Sequence, residues 1–336
     1  MSGMIFTSTG GFVRPPHPNP LPEGEGARLQ IYSQIILKSL IFRDLIGVRF
    51  VWLLTLLWAL SLPAWALEVV DDRGHRLHFD HPPQRVVSLA PHATELIYAI
   101  GAGAKLVAVS AYSDYPIAAT KLPVVTDAGH VDIEQVLALK ADVAVAWGSG
   151  NRNADIERLE SLGIPVYVSE LRSLQDIGRT LTQLGRLLES RAQAQQVRQD
   201  FEASLDRLRK NFQSRSPVRV FFQIESRPLM TLGGLHLFGD LLDVCGGINL
   251  FADLTMLAPV VGVEDVIQRD PQLILVSDRL TDLASIMKGW RTYGTMTAIK
   301  HGRLYGVPAD LIVRPTPRIV AGVEKICELV DRARQD

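Results

Sequence analysis

Residues 191–213 read RAQAQQVRQDFEASLDRLRKNFQ, inside an interval from Gly185 to Pro217 that holds no other glycine or proline. Val197, Phe201, Leu205, Leu208 and Phe212 step by 4, 4, 3 and 4, which lays one apolar stripe along a helix. These 23 residues predict a rod of roughly 34 Å at the usual helical rise, enough to cross a domain boundary. Whether it does so depends on what lies to either side.

Upstream, Glu68–Val70 and Leu77–Phe79 flank Asp71–Gly74 and read as a hairpin, closed by Pro82 and Pro83. Arg85–Leu89 is strand-like. Pro91–Thr94 reads as a turn with Thr94 as cap, and Glu95–Ile100 as a helix stopped by Gly101 and Gly103. Further strand-like runs at 106–109, 143–147 and 165–168 alternate with helical runs at 133–139 and 156–162, the mark of a parallel sheet. Downstream of Pro217 the rhythm restarts with Arg219–Gln223, a helix at 237–244 and Gly246-Gly247. Asp132–Val136 leads to Val143–Val145 as Gly262–Val266 leads to Leu273–Leu275, both at an offset of 130 residues. The expected fold is α/β: two Rossmann-like lobes with parallel sheets, bridged by one long α-helix. Pro315 and Pro317 open a final helix with Ile319, Val320, Val323, Ile326, Cys327 and Val330 on one face.

The 336 residues carry 35 Lys+Arg against 36 Asp+Glu, with 47% apolar and 21% charged residues. That balance argues against a nucleic-acid partner held on a basic face. Only Phe50–Leu62 is long and apolar enough to suggest a membrane, which excludes a polytopic protein. Arg43 and Arg49 precede this run and Ala64-Trp65-Ala66 follows it, the pattern of a secretory signal cleaved after Ala66. Residues 1–47 read as a spurious or disordered leader, with translation starting near Val48. The expected layout is a signal at 48–66, a lobe at 67–172, a helical region at 173–216 and a second lobe at 217–336. The destination is the periplasm, with a soluble monomer as the mature form.

Enzyme motifs are sparse. No G-x-S-x-G elbow, Walker loop or H-E-x-x-H is present. His75, His78 and His81 flank a hairpin strand and do not converge on a metal. His92 and Glu95 stand at i, i+3, a legal pair of metal ligands, but read better as a loop histidine beside a helix-start glutamate. Cys245 and Cys327 are the only cysteines; in an oxidising compartment they suggest a disulfide pinning the last helix, two buried thiols being the alternative. Open α/β sheets bind ligands at the carboxyl ends of their strands. The loops there carry Pro91, His92, Tyr112, Tyr115, Trp147, Arg227, His236, Asp310 and Arg314, a mixed aromatic and polar set suited to a large ligand.

Arg85–Pro91 with Thr94-Glu95-Leu96, Tyr112–Pro116, Asp142–Trp147 and Val244–Phe251 resemble the periplasmic binding proteins of ABC importers for cobalamin, haem and ferric siderophores. The resemblance covers about residues 68–335 and is nearest to the cobalamin binders. It implies the helical-backbone metal-chelate-receptor fold, with little closure on binding, and no resident cofactor, cobalamin being the transported ligand. It implies that Tyr112 and the loop Asp310, Leu311, Ile312, Val313 and Arg314 contact the corrinoid, with Pro91, His92 and Trp147 beside them. Rim tryptophans found in cobalamin binders align with Ala128 and Ala258, both small here. Glu134 and Glu264 occupy equivalent places in the two lobes, and the resemblance implies that they dock onto a dimeric ABC permease at the inner membrane. Haem, with Tyr112 or His92 as axial ligand, or a ferric siderophore on Arg227 and Arg314, is the alternative cargo. An exported α/β enzyme is disfavoured because no nucleophile–base pair is visible.

Overall fold

The computed structural model describes residues 67–127 and 129–335. The expected leader 1–47, the export segment 48–66 and Ala128 lie outside the described residues. The chain begins with the hairpin β1 (Leu67–Val70) and β2 (Arg76–Phe79), turned through Asp71–Gly74. The buried Asp71 carboxylate accepts from the backbone N–H groups of Arg73 and His75, which fixes the turn.

The first lobe runs β3 (Val86–Ser88), α1 (Pro91–Ala99), β4 (Leu106–Ala108), a two-residue pair β5 (Thr126–Asp127) and β6 (His130–Val131), α2 (Ile133–Ala138), β7 (Val143–Trp147), α3 (Asn153–Ser161) and β8 (Val166–Ser169). Its four-stranded sheet has the order β4-β3-β7-β8, all parallel. The strands are continuous apolar runs because both faces are covered. Next come α4 (Leu174–Leu187), begun by a reciprocal Ser173–Asp176 capping box, and α5 (Arg191–Phe212).

The second lobe repeats the plan. It runs β9 (Val218–Gln223), a short hairpin β10 (Glu225–Ser226) and β11 (Leu229–Met230), α6 (Phe238–Val244), β12 (Gly247–Asn249), α7 (Val263–Arg269) and β13 (Leu273–Ser277). It ends with α8 (Leu283–Arg291), α9 (Thr297–Lys300), β14 (Leu304–Val307), α10 (Asp310–Val313) and α11 (Ile319–Arg332). The order β12-β9-β13-β14, again all parallel, matches the first sheet strand for strand.

The predicted rod is α5. It buries Phe201 and Leu205 fully, with Val197, Leu208 and Phe212 packed on the same cluster. That cluster is continuous from Val86 and Val143 in the first sheet, along α5, to Val220 and Leu273 in the second. Cutting Phe201 to Ala would therefore cost about 3–5 kcal/mol and loosen both lobes at once. Cys245 and Cys327 form a disulfide across the buried α6–α11 contact, their Cα atoms 4.7 Å apart.

One local expectation is corrected. Helix α1 starts at Pro91, not at Glu95, because a proline is preset for the first helical turn and Ala90 is already extended. Thr94 is thus inside the helix rather than a cap, and Glu95 lies in its second turn, buried.

Candidate ligand-binding cleft

The wall from the first lobe is built on α1 and the loop after β4. Thr94 Oγ1 donates to Ser88 Oγ at 2.8 Å and pairs with Ser113 Oγ at 3.0 Å, which in turn pairs with Ser110 Oγ at 2.9 Å. All four hydroxyls are buried, so the loop foot is held by a satisfied polar network. Between Ser110 and Ser113 the chain turns through Tyr112 at φ +63°, an uncommon conformation for a side chain of that size. The turn throws the phenol outward, 77% exposed. Tyr115 follows, joined to Pro116 by a cis bond, with the Arg318 guanidinium 3.6 Å above its ring centroid.

Trp147 ends β7 and is 39% exposed. Its ring covers Gly150, where any Cβ would stand 1.9 Å from a ring carbon. Beneath it lies His92, buried, with Nε2 3.1 Å from Ser169 Oγ. Burial, aided by the Arg314 charge, lowers the His92 pKa to about 4, so the ring is neutral at physiological pH. His92 therefore lies behind the Trp147 ring; Pro91, which opens α1, is half-buried beside it.

The second lobe contributes α10 and the segment after it. Ile312 is fully buried in the core, whereas Leu311 and Val313 are half-buried. Gly322 lets α10 lie directly on α11, since a Cβ there would sit 1.9 Å from the Leu311 carbonyl oxygen. Asp310 receives the Arg279 fork, one arm at 2.6 Å, and lies 3.2 Å from Arg314 Nε. Arg314, 8% exposed, crosses to the first lobe. Its Nη1 donates to Glu95 Oε1 at 3.1 Å and to Asp114 Oδ1 at 2.6 Å, and its Nη2 to the Tyr112 carbonyl at 3.3 Å. Hydrogen bonding from Arg314 holds the Asp114 carboxyl below the usual range. Arg314 thus bridges the two lobes.

At the end of β9 the Arg227–Pro228 bond is cis, and a cavity of about 500 Å³ opens among Ser226, Arg227, Leu280, Thr281, Ser285 and Ile286. Gln223 accepts from Trp290 Nε1 at 2.6 Å and donates to Ser226 Oγ at 3.0 Å, fixing the cavity's edge. Elsewhere, Glu134 and Glu264 stand exposed in the first turns of α2 and α7, the helices leading into β7 and β13. Among the described residues neither carboxylate makes an ion pair. A helix amino end stabilises such a charge by about 0.3–1 kcal/mol.

Two like-ordered parallel sheets share one helical backbone, and strand-end loops of both lobes meet where Arg314 reaches Tyr112 and Asp114. Residues 86–311 match the family described as periplasmic binding protein. The chain belongs to the periplasmic binding protein family. Members include the vitamin B12-binding protein of Vibrio cholerae, 35% identical over 254 residues, 76% of this chain and 91% of that protein. That of Pectobacterium carotovorum is 36% identical over 247 residues, covering 73% and 87%. The crystal structure of the Vibrio cholerae periplasmic vitamin B12 binding protein BtuF superposes with a TM-score of 0.70, 76% of this chain against 99% of that one. The periplasmic heme-binding protein RhuT from Roseiflexus shares the fold at a TM-score of 0.67 and 20% identity. What sequence patterns alone do not reveal in this periplasmic binding protein is concentrated at its lobe junction. Glu95, Asp114, Arg279, Thr316 and Arg318 were not singled out for it. The alternation Arg314-x-Thr316-x-Arg318 was the one available signal, and it did not name a partner.

Proposed function

We propose that this periplasmic binding protein is an exported carrier, processed after Ala66. It captures cobalamin or a related corrinoid between lobes 67–172 and 217–336, joined by 173–216, and delivers it to an ABC permease dimer. It performs no catalysis and works as a monomer. The observation that carries the reading is the pair of outward-facing aromatic side chains, Tyr112 and Trp147, at strand ends of a chain that aligns with most of a vitamin B12-binding protein. Aromatic faces, with Leu311 and Val313, suit the broad ring of a corrinoid, and Asp310 and the hydroxyls near Arg227 suit its amide edge. Arg314 and His92 act one step behind, as supports.

The test is an absorption spectrum of purified protein after incubation with cobalamin and, separately, haemin, followed by removal of free ligand. Stoichiometric retention of cobalamin supports the reading. Retention of haemin alone transfers the cleft to haem, and retention of neither removes both ligands. Mass spectrometry of the exported protein should find Leu67 as its first residue.

A further inference from the structure

We propose that Glu95 is a positioning residue for the ligand platform, acting through Arg314 of the opposite lobe to hold the Tyr112 loop. This rests on the corrinoid reading and goes beyond it.

The Glu95 carboxylate is 3% exposed and receives three donors, all from the second lobe. Arg314 Nη1 at 3.1 Å and Arg318 Nη1 at 2.9 Å share Oε1, and Thr316 Oγ1 reaches Oε2 at 2.9 Å. Burying a charge is costly, and well-packed apolar side chains would often hold two lobes together better. What a carboxylate adds is direction. Thr316 and Arg318 hold the carboxylate in place, and its Oε1 on Nη1, with Asp310 3.2 Å from Nε, sets the plane of the Arg314 guanidinium. With that plane set, Nη2 lies on the Tyr112 carbonyl and Nη1 on Asp114. The Tyr112 ring, largely in solvent, has little packing of its own to hold a turn at φ +63°. Its neighbours supply the hold. Ser113 is tied to Thr94, the residue before Glu95, so one helix grips the loop directly and again through the other lobe. Glu95 touches no part of the exposed platform, which makes it a positioning residue.

A double-mutant cycle tests this. Glu95→Gln should weaken cobalamin binding about tenfold in the otherwise unchanged protein, and less than threefold when Tyr112 is already Ala. Equal losses in both backgrounds would show that Glu95 acts independently of Tyr112 and overturn the proposal. Asp114→Asn, whose side chain is half-exposed, carries the same cycle if Glu95→Gln does not fold. Hydrogen exchange read by mass spectrometry gives an answer independent of the ligand. In Glu95→Gln, peptides over 110–116 should exchange at least tenfold faster while those within α5 stay unchanged. Acceleration of both, or of neither, also overturns it. Failure of the unaltered protein to retain cobalamin would sink the corrinoid reading alone, leaving the exchange experiment to decide on Glu95.

Discussion

The His92 and Trp147 rings meet at 88° with centroids 5.6 Å apart, so a buried neutral imidazole underlies an exposed indole. Its folded pKa of about 4 lies below the ordinary 6.5. Between those values the unfolded chain takes up a proton that the folded chain refuses. Stability from this site is complete above about pH 6.5 and declines as pH falls towards 4, by at most about 1.4 kcal/mol per pH unit. Urea unfolding at pH 7 and pH 5 should show a loss about 1–2 kcal/mol smaller in His92→Gln than in the parent. An identical loss in both would assign the pH dependence elsewhere.

Gly150 is exposed, and its lack of a side chain makes room for the Trp147 ring. Gly150→Ala should force that ring to turn while the melting temperature changes by only a few degrees. Among the described residues Trp147 and the buried Trp290 are the two tryptophans, so the emission change is readable in a chain that begins at Leu67. Cobalamin affinity should fall several-fold. Unchanged emission and affinity together would show that the indole does not depend on the gap.

Glu134→Arg with Glu264→Arg should leave fold and ligand affinity intact, since both side chains are exposed and remote from the cleft-lining groups. Charged rim pairs govern orientation and on-rate, and they weaken with salt. Binding to the permease in detergent or nanodiscs should be abolished, and ligand-dependent uptake with it. Normal transport by the double variant would restrict these acids to stabilising helix amino ends.

Reduction under denaturing conditions, or Cys245→Ser with Cys327→Ser, should lower stability by about 2–4 kcal/mol, the usual range for a disulfide. Both sulfurs are buried, so mild reductant should leave the native protein oxidised. Thiol counting before and after unfolding checks both statements.

The lobes were legible because their signals are local: apolar strands, glycine stops and the 4, 4, 3, 4 stripe each report on a few neighbouring residues. The 130-residue offset then turned local signals into architecture. The exposure of Tyr112 and Trp147 was legible because it follows from their own loops. The Arg314 crossing was not legible, because nothing near it in sequence showed its bond to Glu95, 219 residues away. The burial of His92 and Ile312 was not legible either, because which face of a helix is covered depends on packing against elements distant in sequence.

A duplicated lobe invites the idea that each half is a module that could be traded between relatives. The unbroken core along α5 argues otherwise for this chain. Severed at Pro217, either half would present part of an oily seam to water, so the duplication persists as symmetry and not as separability. Calorimetry should accordingly see one endotherm. New cargo would then come from rewriting the strand-end loops on a fixed frame, with the Arg314 crossing as the setting against which any rewritten loop must still close.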